Sequence, residues 1–453
     1  MRYIKTAIIS SVLIVTLAVT MLACASVPMD NIGNSNDGTS NKEVSQDEES
    51  AKTIKMITWD NDGTVNALNA INEMFYEETG IKVELEYVPS QEYEDFLKKE
   101  IESNEADIFC YTSDSKAFAQ PRVDWAPMEM LTWESIIADG YAQNLSGYEF
   151  VNNWSTGSQA CKYKKGIYGI ATGMTIMNGL FYDKKLFDEH GWQEPLTWDE
   201  FVGLCEDIRK TGIEPITVGG ADIWPVQMIT NAIVDSVVEG AAEELSEGLW
   251  KGSHKYTDDV SMEIYRREKQ ILSYMEPDYL NVSYAECPAR FTEGSAAMFY
   301  GGSWNAAEIE AANPEFEYDY FAIPGNNRHN FTGKYDLTIG INAKSDRLTE
   351  AVKWLEYFSK PEVYTVYIDT NGFVPTMSWI STSNNFLIKI DDRLKDFDRT
   401  YECYNRVPNV DLNYGTYDLI NYTDAGGIFD TPEEFANAAQ KDWDEALEAL
   451  TDK

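Results

Sequence analysis

The sequence is poor in the side chains on which metal and thiol chemistry depend. Only three histidines occur, His190, His254 and His329, and they lie far apart. The six cysteines, Cys24, Cys110, Cys161, Cys205, Cys287 and Cys403, contain no Cys-x-x-Cys pair. A compact zinc site or a nucleophile–histidine pair therefore has no support, and neither a metal nor a cofactor is expected. The five cysteines after Cys24 cannot all pair within one chain. Cys110 and Cys205 sit in apolar patterns and read as core. Basic residues are also scarce, 36 Lys and Arg against 76 Asp and Glu, for a formal charge of −40. Phosphate backbones need clusters of Lys and Arg, so nucleic acid is not an expected partner. The same balance opposes attraction to anionic lipid and leaves a covalent anchor as the membrane link. The acidic excess otherwise serves solubility.

Long apolar runs are missing too, with one exception at the start. Arg2 and Lys5 precede an uncharged run, Ala7–Ala23. That is the layout of a secretory signal, so residues 1–23 are expected to direct export. Met21-Leu22-Ala23-Cys24 resembles a lipobox, which makes Cys24 the expected lipidated residue. Ala23-Cys24-Ala25 also satisfies ordinary secretory cleavage, which stays open as the alternative. Residues 24–52 are rich in Asn, Ser, Gly, Asp and Glu, too polar to bury a core, and read as a tether or a disordered start.

The remaining 400 or so residues are long enough for two cores. Thr53–Trp59 alternates as a strand. Asp62 is placed to cap a helix over Val65–Glu78, which Gly80 would end. Strand Ile81–Val88, a helix from Ser90 and strand Asp107–Tyr111 follow. This order implies parallel strands with helical crossovers. Later come short strands Tyr168–Ala171 and Gly179–Tyr182. A Thr197–Glu200 capping box opens a helix that buries Trp198, Phe201, Leu204, Cys205 and Ile208. Strand candidates Glu214–Val218 and Ala296–Tyr300 come next, with Ser303 as a cap. Strand Leu337–Asn342 precedes a helix containing Ala351, Trp354, Leu355 and Phe358. A second capping box, Thr431–Glu434, starts the last helix.

Several segments in this order resemble one family. They are Glu77–Val83 (EETGIKV), Lys165–Ile170 (KGIYGI), Gly179–Phe187 (GLFYDKKLF), Pro195–Phe201 (PLTWDEF), Phe291–Trp304 (FTEGSAAMFYGGSW), Ile341–Ser345 followed by Ala351–Phe358, and Gly372–Thr376 (GFVPT). The chain resembles the bacterial extracellular solute-binding protein family one, the maltose-binding-protein-like sugar receptors of ABC importers. Ala171 departs from the family's usual Pro, and Lys116–Tyr148 has no place in the pattern. The resemblance implies an α/β, periplasmic-binding-protein-like fold with two interleaved lobes joined by a multi-strand hinge. Lobe one is expected at 53–170 plus 326–360, and lobe two at 171–325 plus 361–453.

In open α/β sheets ligands sit beyond the carboxyl ends of strands, and three such ends here carry an aromatic beside polar groups. They hold Trp59, Asp60, Asn61 and Asp62; Tyr111 and Asp114; and Gly301, Gly302, Ser303 and Trp304. An aromatic plane suits the C–H face of a sugar ring, and carboxylates and amides suit its hydroxyls. Each has a structural alternative: Trp59 as core, Asp60 and Asp62 as turn and cap, Asp114 as a turn residue. Trp304, behind two glycines that would let ligand or backbone approach closely, is the leading candidate. Trp224 in a Trp-Pro loop comes next. Thr172, Gly173 and Met174 are expected on the cleft floor, with Tyr335, Asp336, Asn371 and Phe373 as further candidates.

The function implied by the resemblance is capture of a mono- or oligosaccharide at the outer face of the membrane. A monomer would hand it to ABC permease subunits, without chemistry on the ligand. A secreted glycosidase would need two facing carboxylates, and 76 acidic residues single out no such pair. A non-transport sugar sensor on the same fold also stays open.

Overall fold

The computed structural model describes residues 53–451, apart from 113–122, 127–129, 131, 155, 378–379, 397 and 400–415. The signal segment, the tether, Cys24, Asp114 and Cys403 lie outside the described residues. In chain order the strands used below are β1 (Thr53–Trp59), β2 (Lys82–Val88), β3 (Ile108–Tyr111), β4 (Ile170–Ala171), β5 (Met174–Ile176), β6 (Gly179–Asp183), β7 (Glu214–Thr217), β8 (Ala296–Tyr300), β9 (Tyr318–Ala322), β10 (Thr332–Tyr335) and β11 (Thr338–Ile341). The helices are α1 (Asp62–Thr79), α2 (Ser90–Glu102), α3 (Trp198–Lys210), α4 (Trp224–Val238), α5 (Asp259–Leu272), α6 (Asn305–Ala312), α7 (Leu348–Phe358), α8 (Pro361–Asn371) and α9 (Pro432–Thr451).

A five-stranded sheet runs β2-β1-β3-β11-β4. β1 pairs in parallel with β2 and β3, and β11 lies antiparallel to β3 and β4. The parallel part follows from the two helical crossovers, because parallel neighbours need a connection long enough to return the chain. α1 buries Leu68, Ile71 and Phe75 on this sheet. Its cap is Asn61 rather than Asp62: Asn61 Oδ1 accepts the Thr64 N–H at 3.0 Å. The helix consequently starts earlier than its apolar stripe suggested. Gly80 ends it at φ 68°, where a side chain would be strained. The described part of 116–148 also packs here, through Trp133, Ile136, Ala142 and Leu145.

A second sheet runs β9-β6-β8-β7. β8 is parallel to β7 and antiparallel to β6. The Thr197 capping box forms as expected, and α3 buries the five residues its stripe assigned. The Thr431 box forms at α9. Cys110 and Cys205 are fully buried, and burial pushes both thiols up, Cys110 to about 12.

Among the described residues, three segments cross between the sheets. β4 leads into β5, and β10 returns antiparallel beside β5 into β11. The third, around Val374, exchanges two backbone bonds with Met174, both 2.9 Å. Two of the expected lobe boundaries are corrected by packing. Helix α8, assigned to lobe two, lies on α1 of the first sheet: Asn371 comes within 3.5 Å of where a Cβ on Gly63 would sit, and Lys360 pairs with Glu78 at 2.8 Å. Conversely, residues 326–331, assigned to lobe one, stay with the second sheet. Glu239 holds the Asn326 and Asn327 N–H groups, and Phe331 stacks on Tyr320 at 5.3 Å. Sequence spacing carries no record of which sheet an amphipathic segment covers.

Candidate ligand-binding site

The carboxyl end of β8 gathers three aromatics. The Trp224 ring meets Tyr284 edge-on at 4.4 Å and lies 6.4 Å from the Trp304 ring, tilted by 40°. Trp224 is 39 % exposed at the start of α4, and Trp304 is half-buried. Large apolar rings left open beside one another are the kind of surface that ligands use, which makes this strand end the candidate site. Tyr284 was not singled out in sequence, because it stands in a loop without periodicity. It is positioned by Asp222, whose Oδ2 accepts the Tyr284 N–H at 2.6 Å, and by Gly219, where a Cβ would meet the Tyr284 backbone at 2.5 Å.

Two details of this strand end differ from expectation. Ser303 caps no helix: α6 starts at Asn305, and Ser303 Oγ accepts the Ile176 N–H at 3.1 Å. Ser303 N–H donates back to Ile176 O at 3.1 Å, which ties the Trp304 loop to crossing strand β5. Gly302 makes room for the Trp304 ring itself, and Gly301 for Phe299 and Asn305, not for a ligand.

The other candidates fall into two groups. Thr172, Gly173, Met174, Tyr335, Asp336 and Phe373 come together in the crossing segments. Tyr335 sits opposite Met174, and Asp336 N–H donates to Gly173 O. Several of them are engaged internally and have no free group to offer. Thr172 is fully buried, with its hydroxyl on Leu337 O and beside the Tyr367 hydroxyl, both at 2.9 Å. The Phe373 ring is buried against Gly173 and Tyr367. Asp336 is half-buried, yet burial raises its carboxyl pKa and the Lys334 charge offsets only part of that. Asn371 accepts the Phe373 N–H, while its Nδ2 is buried without a partner.

At the end of β3 the ring belongs to the core, and at the end of β1 it packs partly buried against it. Tyr111 is 4 % exposed, with its hydroxyl on Tyr168 O at 3.2 Å. Trp59 is half-buried, edge-on to Tyr93 at 5.4 Å. Asp60 is exposed, and Asn61 serves as the α1 cap. Among the described residues no cluster of three or more His, Cys, Asp or Glu is placed to hold a metal ion. None of the described helices is long and apolar enough to cross a membrane.

A two-lobed α/β frame agrees with the comparisons. The family model for bacterial extracellular solute-binding proteins matches residues 61–365. The chain belongs to this family. Its members are receptors that bind solutes outside the cytoplasm for ABC transporters. The multiple sugar-binding protein of Streptococcus mutans is 26 % identical over 67 % of this chain and 74 % of its own length. An ABC transporter extracellular-binding protein of Pyrococcus horikoshii is 23 % identical, over 46 % of each chain. This receptor therefore spans about three quarters of the first relative and under half of the second. Among solved structures, the solute-binding protein RafE in complex with raffinose superposes with a TM-score of 0.68 at 19 % identity, covering 87 % of this chain and 99 % of that one.

Proposed function

We propose that this receptor captures a carbohydrate between its two lobes and hands it to the membrane subunits of an ABC importer without altering it. One observation carries the reading: Trp224, Tyr284 and Trp304 form an open aromatic surface at the end of β8, tied to a crossing strand through Ser303. Aromatic planes pack on the C–H faces of sugar rings. Acceptors from the first lobe, with Asp60 the exposed one, would reach the hydroxyls when the lobes close. The ligand touches both lobes only in the closed form, so it shifts the equilibrium toward closure. The names of the Streptococcus relative and of the raffinose complex support a sugar ligand.

The signal-like N-terminus and the lipobox-like segment ending at Cys24 support a receptor on the outer face of the membrane, held by a lipid on that cysteine. Mass spectrometry of the native N-terminus checks this, and an unmodified N-terminus at Ser26 would overturn it. The sugar reading is tested by thermal shift and calorimetry against raffinose, stachyose, maltotriose, chitotriose and the component monosaccharides. A ligand of the native state raises its melting temperature. No response to any sugar would overturn the reading, and release of cleaved product would move it to a glycosidase.

A further inference from the structure

Behind the aromatic surface runs a line of hydrogen bonds whose direction the chemistry fixes. Trp304 Nε1 can only donate, and it donates to the Tyr284 hydroxyl oxygen at 2.8 Å. That hydroxyl must then give its own proton elsewhere, and its partner is Asn305 Oδ1. With its oxygen taken, the Asn305 amide presents nitrogen on the other side, and Nδ2 donates to Glu308 Oε2 at 2.6 Å. A carboxylate only accepts, so the line ends there. Trp304, Asn305 and Glu308 belong to one short stretch at the start of α6, and Tyr284 comes from the separate loop that carries the edge contact to Trp224.

We propose that Glu308, Asn305 and Tyr284 are positioning residues that fix the plane of the Trp304 indole for the ligand, with the Glu308 carboxylate setting the direction of the whole line. This rests on the sugar-platform reading of Trp304. Asn305 is fully buried and Tyr284 half-buried, and desolvation of the phenol, reinforced by the Glu308 charge, pushes the Tyr284 pKa well above its usual range. The bonds at the buried Asn305 amide are therefore costly to leave unmade, which favours a single ring orientation. Glu308 is exposed, and it reaches the platform through its bond to the buried Asn305 amide. A ring held in its bound orientation loses less freedom when the ligand arrives, and affinity rises accordingly.

The test uses Tyr284→Phe, Glu308→Ala, Trp304→Phe and Trp304→Ala in the whole receptor. Tyr284→Phe keeps the ring packing and removes the relay hydroxyl. The first readout needs no ligand: the Trp304 indole N–H resonance, assigned by its loss in Trp304→Phe. It should shift and exchange faster with solvent in Tyr284→Phe and, to a lesser extent, in Glu308→Ala, while both variants stay folded and the fall in melting temperature is larger in Tyr284→Phe. The second is affinity for whichever sugar of the panel above binds. It should fall about tenfold in Tyr284→Phe and about threefold in Glu308→Ala, and Tyr284→Phe should add nothing in a Trp304→Phe background. An unmoved indole resonance, or fully additive losses, would overturn the relay. Unchanged affinity in Trp304→Ala would instead overturn the sugar platform, leaving the relay to be judged on the resonance alone.

Discussion

The strand ends of the first sheet and of the second carry similar residues and use them differently. At β3 the Tyr111 ring is buried and its hydroxyl serves the backbone of Tyr168. At β8 the Trp304 ring stays half open, and its polar atom is tied to neighbours behind the ring. In the first sheet, β11 and β4 close over the strand end, and Thr338 pairs with both Tyr111 and Ala171. In the second, the chain turns away through Gly301 and Gly302 into a loop held by β5. An aromatic after a strand becomes core or surface according to what the next strand does.

The largest expected effect tests the core side of that contrast. Tyr111→Ala should cost about 3–5 kcal/mol of stability, the range for deleting a buried aromatic ring. Denaturant unfolding measures it, and affinity per folded molecule should stay within about threefold. Trp304→Ala should do the reverse: about 1–3 kcal/mol of sugar affinity, tenfold to a few hundredfold, with little loss of stability. Calorimetry alongside melting separates the two. Similar stability losses in both variants would erase the contrast.

A third prediction concerns what the second sheet's side buries. Glu268 on α5 is fully buried with neither oxygen hydrogen-bonded, and burial, with the Asp418 charge added, holds its pKa well above the ordinary range. The groups facing it are Asp418 from the 416–422 segment, Tyr422 and, on its own helix, Tyr265. In the unfolded chain this carboxyl titrates near about 4.3. Above that pH the native state keeps a proton that the unfolded state has lost, so rising pH removes stability. Glu268→Gln, which binds no such proton, should flatten the fall in melting temperature from pH 5 to pH 9. An unchanged slope would mean that Glu268 is ionised in the fold. The smallest effect is expected at the exposed Asp60. Asp60→Ala should leave stability within about 0.5 kcal/mol and reduce sugar affinity about threefold, read by the same calorimetry.

Much of the fold was legible in the sequence because its signals are local. The α3 stripe, the two capping boxes, Gly80 and strand β8 each depend on residues a few positions apart. Where a local rule had two candidates, the wrong one could be chosen. Asn61 and Asp62 can both cap, and only the backbone path showed which one does. Of the site, Trp304 and Trp224 were visible as aromatics beside glycine and proline. Tyr284 was not, since a loop residue's value lies in what folds against it.

By itself the sequence determined the alternation of strands and helices, the acidic, histidine-poor character that disfavours nucleic-acid and zinc chemistry, and the family pattern from about Lys55 to Thr376. These depend on composition and near-neighbour spacing, which survive without coordinates. Only the tertiary structure decided that α8 covers the first sheet and that 326–331 stays with the second. It also decided that Thr172 and Phe373 are interior, and that a line of hydrogen bonds joins Trp304 to Glu308 through Tyr284 and Asn305. Burial and the direction of a hydrogen bond are relations between distant parts of the chain, and no window of sequence contains them.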